Sequence, residues 1–146
     1  MRQQLLIIPV LVLSLAACSS SNPIESQGAM APCPDSPNCV SSQAQGDAFI
    51  NPFVLREEAR QAWPAIIKTV QAMPHSAIIT QSPGYIHATQ ASRIFRFVDD
   101  LELELVADDK TINVRSASRI GYSDMGVNRE RVENLRQTLR QQNIIE

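Results

Sequence analysis

The chain reads as an α+β domain: an antiparallel sheet of about four strands with an N-terminal and a C-terminal helix on one face. Three observations predict it. A 3.6-residue apolar period opens the domain, a two-residue period fills its middle, and a second helical period closes it. Each such element has one apolar side, and two helices laid on one sheet face bury all of those sides together.

The residues before the domain are of another kind. Leu5 to Ala16 is apolar but shorter than the about 20 residues a membrane-crossing helix needs. With Arg2 ahead of it and Leu15-Ala16-Ala17-Cys18 behind it, the segment 1–17 reads as a lipoprotein signal peptide ending in a lipobox. Cleavage there leaves the Cys18 thiol to diacylglycerol, and acyl chains such as palmitate hold the protein to one leaflet at about 0.8 kcal/mol per buried methylene. Ser19 follows, where an aspartate would resemble an inner-membrane retention signal. By resemblance to Gram-negative lipoproteins, the expected address is the periplasmic leaflet of the outer membrane. Residues 18–31 then form the lipidated cysteine and a flexible tether, on the order of 20 Å long as a coil. Residues 32–146 form a single globular domain.

Composition excludes some classes of function. The formal charge is −2, and losing Arg2 makes it more negative, so no basic field recruits nucleic acid. Cys33 and Cys39 remain once Cys18 is lipidated, and an oxidising envelope closes such a pair as a disulfide. Pro34, Pro37 and Asn38 suit the tight loop between them, worth about 2 kcal/mol in the chain-entropy model. A redox pair would favour C-x-x-C, and a metal would need further ligands, so no metal or cofactor is expected.

The elements follow in order. Val40 to Pro52 reads as irregular. Leu55, Ala59, Ala62, Trp63, Ile66, Ile67, Val70 and Met73 trace one helical stripe, with Trp63 as a core anchor. Pro64 predicts a kink or break inside it, and Pro74 ends it. Ser76 to Gln81 and Tyr85 to Gln90 pair as a hairpin around Ser82-Pro83-Gly84. Phe95, Phe97, Leu101, Leu103 and Leu105 then share one face, with Arg96, Glu102 and Glu104 on the other. Ala107 to Lys110 turns the chain, and Thr111 to Ala117 returns. A four-residue connection sets Leu105 opposite Ile112, Leu103 opposite Val114, Leu101 opposite Ser116 and Glu102 opposite Arg115. A last helix spans Asn128 to Gln141, with Val132, Leu135 and Leu139 inward and Asn128 as N-cap.

Arg115 to Arg131 is the unusual block. Ser116 and Ser118 continue the inward face, and Ser118 falls opposite Asp99, so the apolar layer turns polar at one end of the sheet. An inward carboxylate must be paired, because a lone buried charge costs several kcal/mol. Arg93, Arg119 and Arg129 are the candidate partners. Two readings stand: an internal ion-pair and capping network that seats the last helix, or an anion site. The second makes Asp99, Arg115, Ser116, Ser118, Arg119, Asp124, Asn128 and Arg129 candidate ligand-binding residues, helped by free N–H groups at the helix start.

Three blocks carry a resemblance: Cys33-Pro34-Asp35-Ser36-Pro37-Asn38-Cys39-Val40-Ser41-Ser42, Phe97-Val98-Asp99-Asp100, and Arg115 through Arg129. In that order, over about Cys33 to Leu139, the chain resembles the bacterial "domain of unknown function 1499" family. The resemblance implies a compact envelope or membrane-associated domain, and brings no assigned activity or catalytic residues. Its polar motif positions here are Asp99, Asp100, Arg115, Ser116, Ser118, Arg119, Asp124, Asn128 and Arg129.

The residues argue for a binder more than an enzyme. A serine hydrolase needs a base, and His75 and His87 are the only histidines; no G-x-S-x-G elbow exists. Asp99 and Asp100 point to opposite faces of one strand and cannot flank one bond. The expectation is a lipid-anchored, non-catalytic envelope module that binds a partner protein or small anion at the Arg/Ser/Asp surface. The alternative is an envelope hydrolase or transferase acting there.

Overall fold

The computed structural model describes residues 30–56, 58–92, 97–106 and 110–146. Cys18, the signal segment and most of the expected tether lie outside the described residues, as do Arg93, Phe95, Arg96 and the turn at 107–109.

In chain order the elements are β1 (Cys39–Ser41), a 3-10 turn (Gly46–Ala48), β2 (Phe53–Val54), α1 (Ala59–Gln71), β3 (Ser76–Ser82), β4 (Tyr85–Ala91), β5 (Val98–Leu105), β6 (Thr111–Ser118) and α2 (Val127–Gln141). The architecture is α+β, and its named strands pair antiparallel in the order β1-β6-β5-β4-β3, with β2 also on β6. Alternation sets the central register as expected: Leu105, Leu103, Leu101 and Asp99 stand opposite Ile112, Val114, Ser116 and Ser118. The β3–β4 hairpin turns at Pro83-Gly84, where Gly84 takes φ 86°.

Among the described residues, six strands stand where about four were expected. The two additions fall in and just beyond the stretch read as irregular. Both lie along the outer edge of β6, with Cys39 opposite Ala117 and Phe53 opposite Ile112. Strands of three and two residues are too short to show alternation, so pairing with an existing edge, and not their own pattern, makes them strands.

α1 starts at Ala59, four residues past the expected Leu55. Leu55 instead bridges to Ile145, its N–H bonded to the Lys110 carbonyl at 2.8 Å. α1 runs through Pro64 without a break. Proline near a helix start removes one hydrogen bond, and burial of Ala62, Trp63, Ile66 and Val70 on either side outweighs that loss.

One hydrophobic cluster joins both helices to the sheet. Ile66 and Val70 of α1 and Val132, Leu135 and Leu139 of α2 pack with Ile86, Leu101, Leu103, Ile112 and Val114. Trp63 belongs to it. Phe97 does not, and is 48% exposed, because it precedes β5 and the alternation no longer binds it.

Candidate functional site

Where the inward face of the sheet runs out of apolar residues, Asp99 and Ser116 continue it, and both are buried. What meets them is Arg131, on the inward stripe of α2 one turn before Leu135. Its guanidinium donates to Asp99 Oδ2 at 2.5 Å, to Ser116 Oγ at 2.8 Å, to Asn128 Oδ1 and to Gln90 Oε1. The Arg131 and Asp99 side chains are only 6% and 7% exposed, so each neutralises a charge that water cannot reach.

Asn128 extends the network. It is fully buried and sits inside α2, so it is not the N-cap the sequence suggests. Its Nδ2 lies within hydrogen-bond reach of Asp124 Oδ2 (2.7 Å), Ser118 Oγ (2.9 Å) and the Asn38 carbonyl (3.0 Å), and its Oδ1 accepts from Ser116 at 2.7 Å. The helix start is satisfied by Asp124, whose carboxylate accepts the N–H of Asn128 at 2.8 Å and of Gly126 at 3.0 Å. Burial pushes the Asp124 carboxyl up, but those N–H donors and the Asn128 amide outweigh it and hold the group below the usual carboxylate range.

Asn38 binds the disulfide loop to this cluster. Its N–H bonds the Ser36 carbonyl, its carbonyl accepts from Ser118 N at 2.9 Å, and its Nδ2 donates to the Gly121 carbonyl at 2.6 Å. Cys33 and Cys39 are disulfide-bonded with Cα atoms 5.6 Å apart. The three sequence blocks that lie far apart in the chain therefore meet in one cluster.

That cluster holds the segment 119–127 in a fixed path. Gly121, Met125 and Gly126 take φ 93°, 55° and 85°, the left-handed region where two of the three are glycine. Along this path Ile120, Tyr122, Met125 and Val127 are turned to solvent, at 59%, 78%, 96% and 46% exposure.

The expected arginines do not converge here. Arg115 and Arg119 lie on the opposite, helix-free side of the sheet. Arg115 pairs with Glu102 at 2.7 Å, and Tyr85 donates to the same carboxylate at 2.7 Å. Burial and that bond push the Tyr85 hydroxyl well above the usual phenol range. Glu102 is thus buried and paired. Arg119 forks onto Asp100 with contacts of 2.8 and 3.0 Å, and His87 Nε2 meets the same carboxylate at 2.7 Å. Burial raises the Asp100 carboxyl, yet Arg119 and His87 together hold it below its ordinary value. Arg129 reaches elsewhere again, donating to the carbonyls of Asp47 (2.6 Å) and Phe49 (3.0 Å).

The structure therefore gathers Asp99, Ser116, Ser118, Asp124 and Asn128, and separates Arg115, Arg119 and Arg129 from them and from one another. Asp99 is paired by Arg131, not by Arg119 or Arg129; Arg93 lies outside the described residues. Sequence reasoning also missed Gln90 and Asn38. Arg131 carried a signal: it lies three residues after Asn128 and four before Leu135, on the buried stripe.

Ser116 Oγ has no histidine beside it, since His87 is on the other face and bonded to Asp100. A cleft of about 360 Å³ between the end of α1 and α2 reaches Arg131 and Gln90, but these two already bond each other. Among the described residues no group of three His, Cys, Asp or Glu is placed to hold a metal, and no helix is long and apolar enough to cross a membrane.

Fold and cluster together define a small α+β domain whose polar motifs serve to lock a loop and a helix onto the end of a sheet. The chain belongs to the family described as "Protein of unknown function (DUF1499)", whose model matches residues 29–139. No curated protein and no solved structure matches the chain.

Proposed function

We propose that this chain is a lipid-anchored module of the cell envelope, held through Cys18 in the periplasmic leaflet of the outer membrane, that works by binding and not by catalysis. One observation carries the binding half. The serines, acids and Asn128 that a reaction would use are bonded to one another, and what they hold rigid is an outward loop of apolar side chains. A pre-formed loop binds with little loss of conformational entropy, which favours recognition. The Arg/Ser/Asp surface thus acts as the support of a docking loop at 119–127 for an envelope partner. A small anion is a second reading favoured only by Arg119, whose side chain is 49% exposed although forked onto Asp100.

Site-specific photo-crosslinking in cells tests the first reading. A photoreactive residue at Tyr122 of the full chain is expected to crosslink to an envelope component, lipid or protein, and the same group at Gln137 to none. Equal yields at both positions, or labelling of Ser116, Ser118 or Ser123 by a fluorophosphonate probe, would turn the case towards the hydrolase or transferase. For the anion reading, phosphate is expected to raise the melting temperature and Arg119→Ala to erase the rise.

A further inference from the structure

We infer that the docking loop is seated in the lipid–water interface of the leaflet that carries the anchor, with Ile120, Tyr122, Met125 and Val127 as the inserted side chains. This rests on the anchor reading and names the occupant of the same loop.

The side chains fit that occupant. All four face outward, and Tyr122 is an aromatic residue of the kind enriched at the headgroup level, where one end of the ring is apolar and the other wet. Asp124 is the one acid between Arg119 and Val127, and it is turned inward onto Asn128 and Gly126. No carboxylate of the loop would therefore have to be dragged into the headgroups.

The path of the chain fits as well. Cys18 and Met30 are twelve residues apart, so the described domain starts at most about 40 Å from an anchored sulfur. The segment that follows, 33–39, is disulfide-closed, and its Asn38 bonds Gly121 within the loop itself. The tether therefore keeps the whole domain, this loop included, within reach of the leaflet. A link of this length holds such a surface at roughly millimolar effective concentration, at which even weak interfacial partition is occupied. Three of its residues are left-handed, and Met125 among them is 96% exposed, so its side chain is free to enter a soft interface.

The test uses the purified full chain in vesicles of phosphatidylethanolamine and phosphatidylglycerol. With Cys33 and Cys39 bonded and Cys18 acylated, Met125→Cys or Gln137→Cys supplies the single thiol for an environment-sensitive fluorophore. Position 125 is expected to emit further to the blue and to be quenched at least about twofold by shallow doxyl lipids, the depth to which an interfacial apolar face sinks. Position 137 is expected to do neither. Emission at 125 as in water, or a blue shift only after an envelope protein is added, overturns the inference; the latter gives the loop to a protein partner. Intact mass reports acylation separately. An acylated chain with a wet loop sinks this inference alone, and an unacylated chain sinks it together with the anchor.

Discussion

Asp99 and Asp100 are neighbours in β5, yet they live in different solvents. Asp99 faces the helices and is matched by a guanidinium that is itself 94% covered, through Arg131 of α2. Asp100 faces the other way and is matched by Arg119, half exposed, and by His87. Ser116 and Arg115 point the same two ways one strand over, but the Arg115–Glu102 pair on the outer face is itself covered, at 12% and 11% exposure. The chemistry is similar on both faces, and depth decides what it is worth. Water and salt screen the Asp100 pairs, whereas the Asp99 pair can be relieved only by its protein partners.

The largest effect is therefore expected at the centre of the inner cluster. Arg131→Met leaves Asp99 charged and unpaired under α2, and should lower unfolding free energy in urea by about 3–5 kcal/mol. Adding Asp99→Leu to that variant should return a large part of the loss, since replacing a buried pair with apolar groups is often nearly neutral. Failure of the double variant to recover would mean that the network holds the helix by geometry more than by charge balance. Asn128→Leu ranks next. It strips partners from Ser116, Arg131 and the Asn38 carbonyl, and should cost about 2 kcal/mol by the same measurement.

These variants also mark where the sequence was readable. The register of β5 on β6 follows from two alternating runs and a four-residue connection, because a one-residue slip would turn Leu101, Leu103 and Leu105 to solvent. The inward turn of Ser116 and Asp99 follows from the same parity. Which arginine meets Asp99 does not, since that depends on how α2 is rotated and how far along the sheet it docks. Local spacing suggested Arg119 and Arg129; tertiary packing chose Arg131. The outward loop was unreadable for a related reason: Ile120, Tyr122, Met125 and Val127 have core-like side chains, and only the fixed path through Gly121 and Gly126 turns them out. Strands β1 and β2 were lost because they borrow their conformation from β6.

Asp124 sits between the two regimes, at the edge of the inner cluster. Asp124→Ala removes the acceptor for two backbone N–H groups at the start of α2 and should cost about 1 kcal/mol. Its pH dependence separates capping from packing. The folded carboxyl is held below its unfolded value, so its contribution is fully present above about pH 4 and is lost as pH falls through the lowered folded value. Asp100 shares that direction, so both faces weaken in acid. The urea midpoint of Asp124→Ala should therefore fall less steeply than that of the wild type over the acid range. Parallel curves would show that Asp124 acts through shape alone.

Arg119→Ala is the smallest expected effect and the sharpest test of the contrast. The guanidinium makes a two-pronged contact with Asp100, a geometry that in the interior would be costly to break. Here the Asp100 that remains still has His87 at 2.7 Å and access to water, so nothing is left stranded. The urea midpoint should match the wild type within error at neutral pH, and added salt should not separate the two. A loss at neutral pH comparable to that of Arg131→Met would mean that the surroundings of Asp100 are as dry as those of Asp99, and that depth is not what divides them.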